Sequence, residues 1–484
     1  MRCSLVIGLL LTACVGGDKG SDTSDAAADG VEGSEGGLCY ANGTCDGDLS
    51  CASEVCVDAD GGDGDGERPG DGDGDRVAGD GDGDGDGDGD AAAVSPCEPT
   101  VWADDDAGPW VVSTTPDGVP LGDAVMPAVS ADGRIVAFSS RFASDGASAG
   151  DGGIIIVDNE CGRRQELRGL DPRLAQLIVS GDGSTIVFIQ GTDEPPVTEV
   201  YAFDRATETV ERIDVDPAGT PVTGQCFHAS VSFDGRFVAF DTTAPGVTAD
   251  DPDTTYDVFV RDRQSQTTEL VSVTSDGTKG NADSTFPALS ADGRMVAFGS
   301  RASNLAVEPA FNDHVYVHDR QSGQTVPSSP QPPGLAANEA GGFYPSMSTD
   351  ARYVVFETAY AHLPADTDSF RDVYLYDRMT GTTELVSVDI TDADAILGQV
   401  SDDGQSVVFG IGTPLVPTDV AIYDRGTGTT TRVGSLARGP SSGPSGGIAI
   451  AANGWIVLSS AGKDLADPPL PPGTWQAVFM MRPR

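Results

Sequence analysis

Two acidic clusters in this chain share one spacing, Asp251-x-Asp253-x3-Asp257 and Asp366-x-Asp368-x3-Asp372. Carboxylates gathered in a turn supply the hard oxygen donors that calcium takes, so both are candidate calcium sites. Asx turns, in which Asp side chains cap a loop, would use the same residues without a metal. No other cofactor is indicated. A third run, Asp80, Asp82 and Asp84 followed by Gly85, opens like an EF-hand loop, but Ala91 stands where the closing bidentate Glu belongs. Diffuse attraction of counterions is the expectation there.

Nucleophiles and bases are poorly placed. Gly-x-Ser-x-Gly occurs around Ser148, Ser441 and Ser445, in Gly-rich stretches without the strand-to-helix elbow that exposes such a hydroxyl. The four histidines, His228, His314, His318 and His362, show neither metal-ligand nor Ser-His-Asp spacing. Cys226 reads as a lone buried thiol, with only His228 nearby in sequence to activate it. No catalytic residue is assigned, and the chain is expected not to be an enzyme.

The other cysteines suggest export. Cys39, Cys45, Cys51 and Cys56 are spaced for two disulfides with three connectivities open; a zinc knuckle would prefer Cys-x2-Cys pairs or histidines. Cys97 and Cys161 are candidates for one further staple. Near the start, Arg2 and the apolar run Leu5 to Leu11 precede Leu11-Thr12-Ala13-Cys14, a signal-like stretch too short to span a bilayer. The tetrad resembles the bacterial lipobox. That resemblance implies a lipoprotein signal peptide over 1–13, lipid on Cys14 as the mature N-terminus, and, with Val15 following, the outer membrane, on its periplasmic side or at the cell surface.

Charge narrows the partners. Across 484 residues, 76 acidic and 28 basic side chains leave a formal net charge of −48, which repels phosphate backbones and argues against nucleic acid. Segments 14–38 and 57–96 are too rich in small and acidic residues to bury a core and read as disordered linkers. They flank the Cys-rich motif at 39–56. Residues 97–484 carry the folding information.

Within that region one pattern repeats. Its best copy is Leu289-Ser290-Ala291-Asp292-Gly293-Arg294-Met295-Val296-Ala297-Phe298, followed by Val315-Tyr316-Val317-His318-Asp319-Arg320. The Asp-Gly pair returns at Asp132, Asp182, Asp234, Asp292 and Asp403, with Asp350-Ala351 and Asn453-Gly454 as variants, at a spacing of roughly 50 to 58 residues. Two alternating strands flank that turn, a third ends in Asp-Arg, and a fourth is expected at Glu269 to Val273, Glu384 to Val388 and Thr431 to Gly434. The seventh copy ends without a fourth strand. Trp110-Val111-Val112-Ser113 resembles Leu270-Val271-Ser272-Val273 and can supply it. The expected fold is all-β: a seven-bladed β-propeller of four-stranded antiparallel blades, the last closed by an N-terminal strand, with six or eight blades as alternatives.

The Ser-x-Asp-Gly-Arg-x-Val-Ala-Phe hairpin with its Asp-Arg strand resembles the TolB-type, WD-repeat-like propeller family, from about Val101 to Arg484. The resemblance implies the propeller and no particular activity. Residues common to the copies belong to the scaffold; those that differ are candidates for recognition. Four residues before the turn serine stand Met126, Gln176, His228, Phe286, Tyr344 and Leu397, on strands that line a propeller's channel, where a peptide could dock. Packing between blades is their other use. The expected protein is a monomeric, lipid-anchored envelope component that touches the membrane only through its lipid and binds an envelope protein or peptide without catalysis. The alternative is a propeller enzyme, lyase or glycosidase, acting on envelope or extracellular polysaccharide.

Overall fold

The computed structural model describes residues 49–52 and 55–58, and 110–481 apart from 115–120, 122–123, 143–147, 169–173, 192–196, 306–313, 330–341, 414–415, 436–447, 452–453 and 461–476. The chain divides into two units, Met1–Pro96 and Cys97–Arg484. In the first, strands Leu49–Ala52 and Val55–Asp58 pair antiparallel with Cys51 opposite Cys56. Cys14, Cys39, Cys45, Cys97 and the Asp-Gly run lie outside the described residues.

The second unit holds seven four-stranded antiparallel sheets. Blade 1 comprises Val125–Val129, Ile135–Phe142, Ser148–Asp158 and Arg164–Arg168. Blade 2 is Leu174–Val179, Thr185–Gly191, Thr198–Asp204 and Thr209–Arg212. Blade 3 is Ala229–Val231, Phe237–Thr242, Asp257–Asp262 and Thr267–Leu270. Blade 4 is Ser284–Leu289, Met295–Ser300, His314–Asp319 and Gln324–Pro327. Blade 5 is Phe343–Met347, Tyr353–Thr358, Asp372–Asp377 and Thr382–Leu385. Blade 6 is Asp394–Val400, Ser406–Thr413, Val416–Asp424 and Thr429–Ser435. Blade 7 is Ile448–Ile450, Ile456–Ser460 and Ala477–Met481, completed by Trp110–Val111. The N-terminal strand therefore closes the ring, with Trp110 opposite Met480 and Val111 opposite Phe479.

Fourth strands in blades 3 and 5 end about three residues before the expected Val273 and Val388, and the reason is a side-chain cap. Ser272 and Ser387 turn their hydroxyls back to accept the amides of the second residues of the third strands, Val258 N–H at 3.2 Å and Val373 N–H at 3.0 Å. Ser329 does the same for Val315 at 3.0 Å. At the closure Ser113 accepts from Val478 at 2.9 Å, so the N-terminal segment reproduces a fourth strand down to its cap.

The hairpin turns of blades 1 to 6 are closed polar units. Ser290 Oγ donates to Asp292 at 2.6 Å and accepts from Met295 N–H at 2.9 Å, while Asp292 accepts from Arg294 N–H at 2.9 Å. Ser130, Ser180, Ser232, Ser348 and Ser401 repeat the arrangement. Gly293 adopts φ 69, and a Cβ there would lie 2.3 Å from the Phe237 ring of the neighbouring blade. The turns are also linked blade to blade by backbone bonds: Ala131 N–H to Gly181 at 2.9 Å, Asp182 to Phe233 at 2.9 Å, Phe233 to Ala291 at 2.8 Å, Ala291 to Thr349 at 3.0 Å and Thr349 to Asp402 at 3.4 Å.

Apolar side chains fill the seven spaces between blades. The turn-proximal phenylalanines Phe138, Phe188, Phe240, Phe298, Phe356 and Phe409, with Leu458, are all at most 1% exposed. The space between blades 7 and 1 joins Val112, Leu121, Val136 and Phe138 to Val457, Val478 and Met480. Arginines rivet the blades at the turn end. Arg294 forks onto Asp319 at 2.9 and 2.8 Å within blade 4. Arg320 bonds Gly293 O, reaches Glu269 of blade 3 and lies 4.4 Å over the Phe237 ring.

Two outcomes follow. Ser113→Ala leaves the buried Val478 N–H unpaired and is expected to cost about 1–3 kcal/mol, read from the urea midpoint; an unchanged midpoint would show that the closure does not need its cap. Burial works to raise the Asp319 carboxyl, but hydrogen bonds from Arg294 and Ser322 outweigh it and hold the group well below the usual carboxylate range. Its contribution is therefore present above the unfolded value near 4 and lost as pH falls through the folded one. Arg294→Met should lower stability by about 1 kcal/mol at pH 7 and by progressively less in acid; a deficit independent of pH would contradict this origin.

Candidate functional site

First strands of successive blades lie side by side around the whole ring, including blade 7 against blade 1. They form its inner wall. Five of them carry a β-bulge, at Val125/Ala128, Leu174/Gln176, Thr285/Ala288, Phe343/Ser346 and Ile396/Gln399. Four bulged residues have left-handed backbones although none is Gly: Met126 at φ 53, Phe286 at 59, Tyr344 at 49 and Leu397 at 56. Each such conformation stores about 1–3 kcal/mol. Pro127, Pro287 and Pro345 follow three of them, placing a residue without an N–H where the ladder is interrupted.

Three of the six channel candidates come together. His228 lies just before the first strand of blade 3, and its ring centroid is 3.9 Å from Phe286 of blade 4, itself 4.1 Å from Tyr344 of blade 5. The three rings form an arc across adjacent blades. Phe227, Tyr256 and Phe343 extend the arc. Gln176 accepts from Ala229 N–H at 2.6 Å, next to His228. Met126 instead packs into the core between blades 1 and 2. Leu397 is half-buried, and its N–H donates to Glu357 at 2.7 Å.

The groups that hold the arc were not among the sequence candidates. Asp241, fully buried, accepts from Phe227 N–H at 2.9 Å, His228 N–H at 3.0 Å and Phe286 N–H at 3.2 Å, and its Oδ2 is 2.7 Å from His228 Nδ1. With Nδ1 facing a carboxylate, the imidazole of a 30%-exposed side chain is fixed in one orientation and leaves Nε2 to act. Glu357 plays the same bracing part for blade 6, bonding Arg371 at 2.9 Å, whose guanidinium lies 5.5 Å from the Phe343 ring. Burial pushes Glu357 up to about 7, against the pull of Leu397 N–H and Arg371. Both acids directly follow the repeated Phe of the second strand, where other blades carry Ser139, Ile189, Gly299, Gly410 and Ser459. That departure was the available signal.

Both acidic clusters assemble. In each, carboxylate oxygens of the three Asp residues lie within 4.8 Å of one another, and Asp257 and Asp372 open third strands. In blade 3 the Lys279 ammonium sits among them, 2.7 Å from Asp257, 2.9 Å from Asp253 and 3.5 Å from Asp251. Burial opposes that charge, but the hydrogen bonds that Lys279 donates to Asp257 and Asp253 and the surrounding negative field hold it above the ordinary lysine range. Hydrogen bonds from Thr255 and Lys279 draw Asp253 down to about 2. A protein cation thus occupies the place expected for calcium there.

Cys226 is a free cysteine, buried, with its thiol pushed well above the usual range by desolvation. Of the Cys97–Cys161 pairing only Cys161 is described, and its sulfur is disulfide-bonded. Ser441 and Ser445 lie outside the described residues; Ser148 is on a strand of blade 1, with no helix after it.

No protein-family model matches the chain, and no curated protein matches it in sequence. Solved structures do. An oligogalacturonate lyase in complex with manganese aligns with TM-score 0.51 and 11% identity over 75% of this chain and 90% of that one. The β-propeller domain of the trilobed protease from Pyrococcus furiosus aligns at 0.48 and 12% over 75% and 96%. TolB from Acinetobacter baumannii aligns at 0.40 and 13% over 69% and 76%. The likeness to the lyase is one of fold alone.

The strained wall makes a checkable claim. Because φ 59 suits Gly better than any L-residue, Phe286→Gly should be more stable than Phe286→Ala by about 1 kcal/mol in urea unfolding, the reverse of the order in an ordinary strand. The ordinary order would refute the stored strain.

Proposed function

We propose that this chain is a lipid-anchored protein of the bacterial envelope whose propeller docks a protein or peptide on the aromatic arc His228–Phe286–Tyr344. The observation that carries the reading is that three successive blades hold large rings in contact along the first strands, two of them, Phe286 and Tyr344, on strained backbone, with buried Asp241 holding His228 and Phe286. Strain of this kind persists where a surface has work to do. Rings with polar tips beside an Arg371–Glu357 pair suit an extended peptide with an apolar or aromatic anchor.

A second reading rests on His228 and Asp241. An imidazole oriented by a buried carboxylate can accept a proton at Nε2, as a polysaccharide lyase or glycosidase would require. The two readings separate in one comparison. Wild type, Tyr344→Ala and His228→Gln are used to capture partners from envelope extract and are incubated with envelope and acidic polysaccharides. Docking is supported by a stoichiometric protein partner that Tyr344→Ala loses and His228→Gln weakens only a few-fold. Polysaccharide cleavage abolished by His228→Gln would replace it with the enzyme reading.

A further inference from the structure

Blades 3 and 5 contain the same loop built twice, and the two copies differ in one respect. In both, a serine after the fourth strand donates to the Asp that opens the third strand: Ser272 to Asp257 at 2.8 Å and Ser387 to Asp372 at 2.5 Å. In both, an Asp at the start of the next blade accepts the amide before that residue: Asp283 from Tyr256 at 3.1 Å and Asp394 from Arg371 at 2.8 Å. The two triads are thus held in the same frame.

What differs is the cation. In blade 3 the turn after the fourth strand doubles back, with Val273 bridged to Lys279, and delivers the Lys279 ammonium to all three carboxylates. In blade 5 the corresponding turn is shorter and reads Val388-Asp389-Ile390-Thr391-Asp392-Ala393, with no Lys or Arg in it. Asp372 is only 4% exposed, and its Oδ2 has no hydrogen-bond partner; neither has Asp366 Oδ1. Two buried anionic oxygens left unpaired beside a third carboxylate are costly unless a cation joins them.

We propose that Asp366, Asp368 and Asp372 bind a divalent metal ion, calcium by their oxygen-only donor set, in the place that Lys279 fills in blade 3. Three carboxylates with water completing the shell match calcium's preference for many hard oxygen ligands. The site stands at the outset of the third strand of blade 5 and is independent of the docking surface. Tyr374 donates to Asp366 Oδ2 at 2.7 Å, which puts a phenol beside the ion as a natural antenna.

The test titrates calcium into the full chain by calorimetry, and terbium with tyrosine excitation, after treatment with chelator. Wild type should show one saturable site above the weak, non-saturating uptake of the Asp-Gly run, with sensitised terbium emission displaced by calcium. Asp368→Asn, at a partly exposed position that leaves Asp372 and its cap intact, should weaken that site by about tenfold or more. Lys279→Ala should gain a second saturable site by uncovering the triad of blade 3. The proposal is overturned if folded wild type shows no saturable site, if Asp368→Asn binds as wild type does, or if Lys279→Ala still binds a single ion.

Discussion

Every blade of this propeller is buried on both faces, and the ring exists because the two faces are complementary in size. Along each second strand a large residue faces the preceding blade and a small one the following blade. Phe240 enters the core shared with blade 2, whereas Ala239 enters the core shared with blade 4. Phe298 faces blade 3 and Ala297 faces blade 5; Phe409 and Val408 divide in the same sense. A strand shifted by one residue would set ring against ring on one side and leave a void on the other. Register, blade spacing and the direction in which the inner wall points all inherit from that alternation.

This explains which parts were legible from sequence. Large-small alternation and the Ser-x-Asp-Gly turn are local, so they recur at fixed offsets and show the blades, their number and the borrowed strand at Trp110. Ends of the fourth strands were less visible, because Ser272 and Ser387 terminate them with a side chain that could equally have continued the ladder. The site was visible only in outline. Phe286 and Leu397 stood out as departures from neighbouring copies, but the groups that hold their amides, Asp241 and Glu357, act across from the preceding blade. Lys279 was harder still, since its partners arrive from a loop more than twenty residues earlier in the chain.

Specialisation is uneven around the ring. Blades 1 and 2 spend their inner-wall position on packing, through Met126, or on bracing a neighbour, through Gln176. Blades 3 to 5 hold the arc, and blades 3 and 5 hold both the bracing acids and the acidic triads. An identical scaffold position can therefore be core in one blade and surface chemistry in another. The bulge makes this affordable: it frees one residue from the ladder without disturbing the alternation behind it.

The closing strand has a mechanical meaning. Trp110 and Val111 pair with the last strand of the ring, and Ser113 caps it. Tension reaching the propeller along the preceding chain would fall first on this two-residue strand, before any blade built from contiguous sequence. The ring's seam is thus also its fuse. A pull strong enough to part it would open the core between blades 7 and 1 while the remaining six interfaces stayed shut, so the molecule would yield by opening before it yielded by unfolding.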